Sequence, residues 1–194
     1  MLSDNITVNE QGHIVFAGYD TTSLAHKYGT PLYLMDEMRI RKNCRIYTQA
    51  FREAFGENGL VLYASKANAF KGIYRIVAEE GLGIDVVSSG EIYTALQAGS
   101  DLSTAYFHSN NKTDEDIAYA IAQGVGCFVV DNREELDAID VIAGQAGIRQ
   151  KILLRLTPGI DPHTYDAINT GKVDSKFGTA IERSEERRVG KECR

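Results

Sequence analysis

Residues 61–70, VLYASKANAF, begin with an apolar run and turn polar at a single lysine, Lys66. The apolar part has the length and composition of a buried strand. Four similar runs follow it: GIDVV from Gly83, AYFHS from Ala105, CFVVD from Cys127 and ILLRL from Ile152. The first four runs start 22 residues apart, and the fifth follows after 25. This regular spacing predicts a series of repeated strand–helix units.

The segments between these runs have the periodicity of amphipathic helices. We predict helices over Glu91–Ala98, Asp114–Gln123 and Asn132–Ala143. Thr113 stands where an N-cap belongs, and Asp116 follows three residues later, which is the spacing of a capping box. Glycines are predicted to close the helices at positions 81, 99, 124 and 144.

Apolar strands that alternate with helices predict an α/β fold with a parallel sheet buried on both faces. An open doubly wound sheet and a (β/α)8 barrel both fit this pattern. Polar residues end every run, which favours the barrel: Lys66 and Asn68, Asp85 and Glu91, His108 and Lys112, Asp131 and Asn132, Arg155 and Thr157. With Pro31–Met35 as a further strand we count about six strands, so we expect an incomplete TIM barrel of about six of its eight strands.

Composition and charge narrow the classes of function. The net charge of −6 disfavours a nucleic-acid or anionic-membrane partner, and no apolar run has the length of a membrane helix. The three cysteines, Cys44, Cys127 and Cys193, are widely spaced and fit a reducing, cytoplasmic environment. Asp161 and His163 lack a third ligand nearby, so we expect no metal site.

The position of Lys66 has two interpretations. A lysine at the carboxyl end of a barrel strand faces the mouth where active sites form, and partial desolvation there favours its neutral, nucleophilic amine. Such an amine can attack a carbonyl carbon, as attachment of pyridoxal phosphate requires. The alternative is an ordinary solvent-exposed loop lysine.

Several ordered blocks resemble one family. YASKAN around Lys66 resembles the lysine motif of the barrel-fold pyridoxal-phosphate decarboxylases, which share their fold with alanine racemase. GIDVVSSGE (83–91), FHSNNKTDEDI (107–117) and CFVVDNREEL (127–136) resemble the next blocks in order, with Ser109 where glycine is common. RLTPGIDPHTYDAINTGKVDSKFG (155–178) resembles the diaminopimelate decarboxylase branch, with Tyr165 in place of a frequent histidine.

The resemblance implies decarboxylation of meso-2,6-diaminopimelate to L-lysine and carbon dioxide with pyridoxal 5′-phosphate as cofactor. It implies that Lys66 is catalytic and holds the cofactor, and that Asp85 and Arg155 line the cofactor site as a pair beside the ring. His108 ends a strand and is a further candidate for the cofactor site, although a histidine there can also be a packed, hydrogen-bonded wall residue. Glu91 is a further pocket candidate, although a glutamate in the first turn of a helix is also favoured by the helix dipole. Asn68 is another pocket candidate, while Asn110, Asn111 and Lys112 are expected to cap the next turn.

The resemblance also implies a domain organisation and a partner. Residues 1–30 are predicted to contribute to a β-sandwich domain, with a strand around Gly12–Phe16, and residues 31–182 to form the partial barrel. Members of the family complete their active sites in homodimers. The later family blocks do not occur in these 194 residues, so we expect an inactive fragment of an active enzyme. The alternatives are a related basic-amino-acid or carboxynorspermidine decarboxylase, and a non-catalytic carrier of pyridoxal phosphate.

Residues 183–194, RSEERRVGKECR, differ in composition from the rest of the chain. They contain five Lys/Arg against three Asp/Glu, whereas the whole chain is acidic. A solvated basic helix is one interpretation. The string also resembles the translation of a sequencing-adapter oligonucleotide, and we predict that it is a non-native tail.

Overall fold

The computed structural model describes residues 4–157 and 178–180. The chain divides into two compact units, Met1–Ile46 and Tyr47–Arg194. Helix α2 (Glu37–Phe55) runs across the division. In the described ranges no helix is long and apolar enough to cross a membrane.

The first unit contains a small antiparallel sheet in the order β1 (Ile6–Val8), β2 (Ile14–Phe16) and β3 (Tyr19–Asp20). The turn between β2 and β3 consists of Ala17 and Gly18, whose φ angles of 50° and 86° suit a two-residue hairpin. Strand β2 lies where the sequence predicted one, and its membership of a β-sandwich domain stays a prediction.

Helix α1 (Thr21–Tyr28) begins directly after this sheet because Asp20 caps it. The Oδ1 atom of Asp20 accepts hydrogen bonds from the N–H groups of Thr22 (2.8 Å) and Ser23 (3.2 Å), which have no partner inside the helix. The next apolar run, Pro31–Met35, was predicted to be a strand, and that prediction is wrong: the run belongs to none of the described sheets. An extended run becomes a strand only when a neighbour completes its hydrogen bonds, and Pro31 offers no N–H group.

The second unit is built on a parallel sheet whose order follows the chain, β4 to β8. The strands are β4 (Leu62–Ala64), β5 (Gly83–Val86), β6 (Tyr106–His108), β7 (Cys127–Val130) and β8 (Lys151–Leu154). One helix separates each pair: α3 (Lys71–Glu79), α4 (Ser89–Ala98), α5 (Asp114–Ala122) and α6 (Arg133–Gln145). A doubly wound sheet reverses its strand order, whereas a barrel wall does not. The predicted α/β fold with an incomplete barrel is therefore confirmed.

Two further short strands form a separate parallel pair after β8. Arg155 interrupts the strand after β8, and β9 (Leu156–Thr157) pairs in parallel with β10 (Thr179–Ala180). The N–H of Arg155 donates to the carbonyl of Val130 at 2.9 Å, and the N–H of Thr179 donates to the carbonyl of Arg155 at the same distance. The backbone of Arg155 thus joins the two ladders. The sequence count of six strands included Pro31–Met35, whereas the described residues form a sheet of five parallel strands and a separate parallel pair, β9 and β10.

The core lies between the sheet and its helices. Its largest fully buried side chains include Tyr74, Ile92, Ile117, Phe107 and Phe128. The rings of Phe107 on β6 and Phe128 on β7 lie 5.6 Å apart, so these directly paired residues of adjacent strands form an aromatic contact in the core.

Two features of the predicted helix ends were tested by the structure. The capping box is confirmed, because Thr113 and Asp116 each accept a backbone hydrogen bond from the other. The prediction that Gly144 closes a helix is wrong, since α6 continues through it to Gln145. The glycine with positive φ past that end is Gly147 (67°), where a side chain would be strained.

Candidate cofactor site

The carboxyl ends of β4 to β8 meet along one edge of the sheet because the strands are parallel and in register. This edge carries most of the residues that the sequence singled out. Lys66 follows β4, Asp85 lies in β5, His108 ends β6 and Arg155 follows β8. Parallel barrels place their active sites at this end.

Lys66 lies in a single 3-10 turn, Ser65–Ala67, immediately after β4. The turn is held at both ends, since the N–H of Asn68 donates to the carbonyl of Ser65 (3.0 Å) and the Tyr63 hydroxyl donates to the carbonyl of Asn68 (3.1 Å). Ser65 is buried, whereas Lys66 and Asn68 are exposed. The expected desolvation of Lys66 is therefore not found, because the described residues leave it uncovered.

Asp85 and His108 lie on adjacent strands, with Oδ2 of Asp85 3.5 Å from Nδ1 of His108. The other polar atom of each side chain, Oδ1 of Asp85 and Nε2 of His108, is buried without a hydrogen-bond partner in the described residues. A buried polar atom without a partner costs about 1–3 kcal/mol. Two such atoms on neighbouring strand ends indicate a surface built to meet a polar ligand.

Glu91 lies in the first turn of α4 and folds back onto the connection from β5. Its Oε2 accepts a hydrogen bond of 2.7 Å from the N–H of Val87, and its own N–H donates to Oγ of Ser88. Burial, together with the nearby charge of Asp85, raises the pKa of Glu91, while the Val87 bond acts in the opposite direction. The side chain thus fastens the connection that follows Asp85. Glu91 therefore does more than interact favourably with the dipole of its helix.

Arg155 forms its described ion pair with Asp131 rather than with Asp85. Its Nη1 lies 2.9 Å from Oδ1 of Asp131, and the N–H of Gly178 donates to the other oxygen at 3.1 Å. Strand spacing explains the difference: β5 and β8 are three strands apart, about 14 Å, whereas Asp131 ends the strand next to Arg155. The expected Asp85–Arg155 pair is therefore replaced by an Asp131–Arg155 pair. Asp131 could have been identified from the sequence as a site residue because it follows a predicted strand.

Lys112 is the residue whose role the sequence did not indicate. It was expected to cap a turn, but its side chain is 0% exposed and donates to three acceptors. These are the carbonyls of Ser109 (3.0 Å) and Val129 (2.8 Å) and Oε1 of Glu135 (2.7 Å). Burial lowers the pKa of Lys112, and its hydrogen bond to Glu135 opposes that shift. No sequence pattern separates such a lysine from an exposed one.

Asp161, His163 and Tyr165 lie outside the described residues. Across residues 4–157 and 178–180, no three His, Cys, Asp or Glu side chains form a group that could hold a metal ion.

Residues 38–193 match the family model of the pyridoxal-dependent decarboxylase, pyridoxal binding domain. The chain belongs to this family. The matched range includes Lys66, Asp85, His108 and Arg155, so all four strand-end residues lie inside the pyridoxal binding domain of the family.

Curated relatives in this family are diaminopimelate decarboxylases. Those of Bacillus methanolicus and Bacillus subtilis strain 168 are 48% identical over 171 residues and 44% identical over 170 residues. The alignments cover 88% of this chain but only 39% and 38% of the two relatives. The chain therefore spans about two fifths of the length of these relatives.

Among solved structures, too, this chain is similar to diaminopimelate decarboxylases. The crystal structure of diaminopimelate decarboxylase from M. jannaschii matches with a TM-score of 0.82 and 34% identity, covering 96% of this chain and 43% of that one. A second structure of that enzyme, in complex with L-lysine, matches with the same score.

Proposed function

We propose that this chain holds pyridoxal 5′-phosphate on Lys66 and forms part of a diaminopimelate decarboxylase, which converts meso-2,6-diaminopimelate to L-lysine and carbon dioxide. The observation that carries the proposal is the position of Lys66 directly after β4, inside the matched pyridoxal binding domain. The identity of 48% to the Bacillus methanolicus enzyme and the match to a relative solved with L-lysine support the choice of substrate.

The residues at the strand ends fit the cofactor. Lys66 offers an accessible primary amine, which would hold the cofactor aldehyde through Nζ with loss of one water molecule. Asp85 and His108 offer the unpaired atoms Oδ1 and Nε2 for its polar groups. Arg155 adds a positive charge, and Glu91 and Asn68 are secondary candidates for the wall of the site.

When bound, pyridoxal phosphate supplies an electron-withdrawing ring that stabilises the negative charge left after carbon dioxide departs. Lys66 would hold the cofactor through Nζ, and Nζ would be free to carry a proton whenever the amine of the substrate takes its place. That proton would take the place of the lost carboxyl group on the same carbon, so the product has one carboxyl group fewer than the substrate. Asp85 restrains the ring of His108 beside the site, and Asp131 restrains Arg155.

We propose further that the complete enzyme is a cytoplasmic homodimer. Cys127 is a buried cysteine with a free thiol, which suits a reducing compartment. The homodimer is proposed from the family resemblance. Because the chain spans about two fifths of its curated relatives, we assign the decarboxylation to the complete protein that carries this chain.

Turnover by that complete protein tests the proposal. With pyridoxal phosphate added, we expect carbon dioxide release from meso-2,6-diaminopimelate and much slower release from lysine, ornithine, arginine and carboxynorspermidine. Lys66→Ala should abolish release, while Lys71→Ala, at the start of α3, should leave it unchanged. Faster release from one of the other amino acids would identify a related decarboxylase. Cofactor binding without release from any of them would identify a carrier.

A further inference from the structure

A continuous path of hydrogen bonds leads from buried Lys112 to Arg155 at the strand ends. Nζ of Lys112 donates to Oε1 of Glu135 at 2.7 Å. The second oxygen, Oε2 of Glu135, accepts from the N–H of Asp131 at 3.2 Å. Oδ1 of Asp131 then accepts from Nη1 of Arg155 at 2.9 Å. Each link uses a different atom, so no bond in the path competes with another.

The two residues of the path that lie farthest from the site, Lys112 and Glu135, are held by hydrogen bonds to or from the backbone. The carbonyls of Ser109 and Val129 hold Lys112, and they belong to the β6–α5 loop and to β7. Glu135 is held at the start of α6, because its N–H donates to the capping oxygen Oδ1 of Asn132 at 2.9 Å. The carboxylate of Glu135 therefore reaches Asp131 from a rigid position.

Burial along the path decreases toward the candidate site. The exposed fractions of the side chains are 0% for Lys112, 3% for Glu135, 4% for Asp131 and 26% for Arg155. The four charges, two of each sign, balance. A buried ion pair adds little net stability compared with apolar side chains, but its hydrogen bonds fix the directions of its atoms. The arrangement is therefore better explained by positioning than by stability alone.

We propose that Lys112 and Glu135 are positioning residues that hold Arg155 at the cofactor site through Asp131. The inference rests on the proposed function, since it takes Arg155 to contact the bound cofactor or substrate. Glu135 fixes the backbone of Asp131, and Lys112 fixes the carboxylate of Glu135. Loss of either residue removes the support of Asp131 from α6 and leaves the N–H of Gly178 on Oδ2, so Arg155 is held less firmly in its direction.

The test measures the affinity of the complete protein for pyridoxal phosphate from the absorbance of the bound cofactor. The variants are Lys112→Met, Glu135→Asp and Arg155→Lys, with Glu134→Gln on the exposed side of the same helix turn as matched control. Glu135→Asp keeps the charge but shortens the side chain, so the variant is expected to fold even if Lys112→Met does not. The free energy of unfolding of each cofactor-free variant is measured alongside.

We expect Glu135→Asp and Lys112→Met to weaken cofactor binding roughly tenfold, as Arg155→Lys does, while Glu134→Gln has no effect. In the background of Asp131→Ala, which removes the acceptor of Arg155, Glu135→Asp should add far less than its effect in the wild type, because the path is already broken. A purely structural role would lower the free energy of unfolding and leave the affinity of the folded protein unchanged.

Two results separate the failure of this inference from the failure of the proposed function. If the wild-type protein binds no cofactor, or Arg155→Lys binds it as tightly as the wild type, the site itself is wrongly assigned. If Arg155→Lys weakens binding while Glu135→Asp and Lys112→Met do not, Arg155 belongs to the site but Lys112 and Glu135 do not position it.

Discussion

Glu91 accepts a hydrogen bond of 2.7 Å from the backbone N–H of Val87, so the first turn of α4 is fastened to the end of β5 by a half-buried carboxylate. Asp85, one residue of the candidate site, lies two positions before Val87. The bond therefore restrains the segment that presents Asp85. It also places the partly buried negative charge of Glu91 near the charge of Asp85, which is unfavourable.

Glu91→Gln should change how stability depends on pH. The pKa of Glu91 is raised, so above its ordinary value of 4.5 the folded protein binds more protons than the unfolded chain. The free energy of unfolding contributed by Glu91 therefore falls as the pH rises from 4.5 through the raised folded pKa. Glutamine keeps an acceptor for Val87 and does not titrate. We expect the variant to gain stability relative to the wild type across that window.

Urea unfolding at a series of pH values measures this difference. The matched control is Glu115→Gln, an exposed glutamate in the first turn of α5. A difference between wild type and Glu91→Gln that stays constant with pH would contradict the assignment of a buried, destabilised carboxylate.

In the first unit, Asp20 should make the free energy of unfolding depend on pH in the opposite sense. A hydrogen bond from His13, 2.9 Å away, is the largest cause that lowers the pKa of Asp20 from 3.8 to about 2. Its contribution to stability is therefore present above pH 3.8 and is lost as the pH falls through about 2. Asp20→Asn keeps a good helix cap but removes the charge. We expect it to destabilise the first unit at neutral pH and to have little effect near pH 2.

Amide hydrogen exchange in residues 4–28, followed from neutral to acidic pH, measures this effect. Glu10→Gln, an exposed change in the connection between β1 and β2, is the control. Equal exchange rates for Asp20→Asn and wild type at neutral pH would show that the His13–Asp20 contact contributes nothing.

Gly126 and Gly144 form a matched pair for a test of packing. A Cβ atom at Gly126 would lie 1.9 Å from the carbonyl oxygen of Ser103, whereas one at Gly144 has no neighbour within 4 Å. Gly126→Ala should therefore lower the free energy of unfolding by about 1–3 kcal/mol or more, because the backbone has to move. Gly144→Ala, inside α6, should raise it by roughly 0.5–1 kcal/mol. Urea unfolding of both variants gives these values. If Gly126→Ala stabilised the protein, the close approach of Gly126 to the carbonyl of Ser103 would be contradicted.

The sequence predicted the parallel sheet because its strand runs are almost wholly apolar and recur with regular spacing. Val61, Gly83, Ala105 and Cys127 each start such a run, and β4 to β7 lie within these runs. Pro31–Met35 has the same local composition, yet forms no strand. Its conformation depends on a distant neighbour, which local composition does not encode.

The candidate site was predicted less completely than the fold. Lys66, Asp85, His108 and Arg155 were found because each stands at or near the end of a strand, which is visible in the sequence. The partners of these residues depend on which strands are adjacent. Asp131, one strand from Arg155, therefore takes the place that the sequence analysis gave to Asp85.

Lys112 shows the second reason for an incomplete prediction. A lysine in a polar loop is normally exposed, and only its three acceptors show why this one is buried. Two of these are backbone carbonyls, which carry no sequence signal. The third, Glu135, lies 23 residues away on a helix whose first turn already favours glutamate.

Reductive trapping of the cofactor tests the central claim most directly. The complete protein is incubated with pyridoxal 5′-phosphate, reduced with borohydride, digested and analysed by mass spectrometry. We predict one phosphopyridoxyl group on Lys66, which is absent in Lys66→Ala and present in Lys71→Ala. A label on Lys71 or Lys112, labels divided among several exposed lysines, or no label at all would contradict the account.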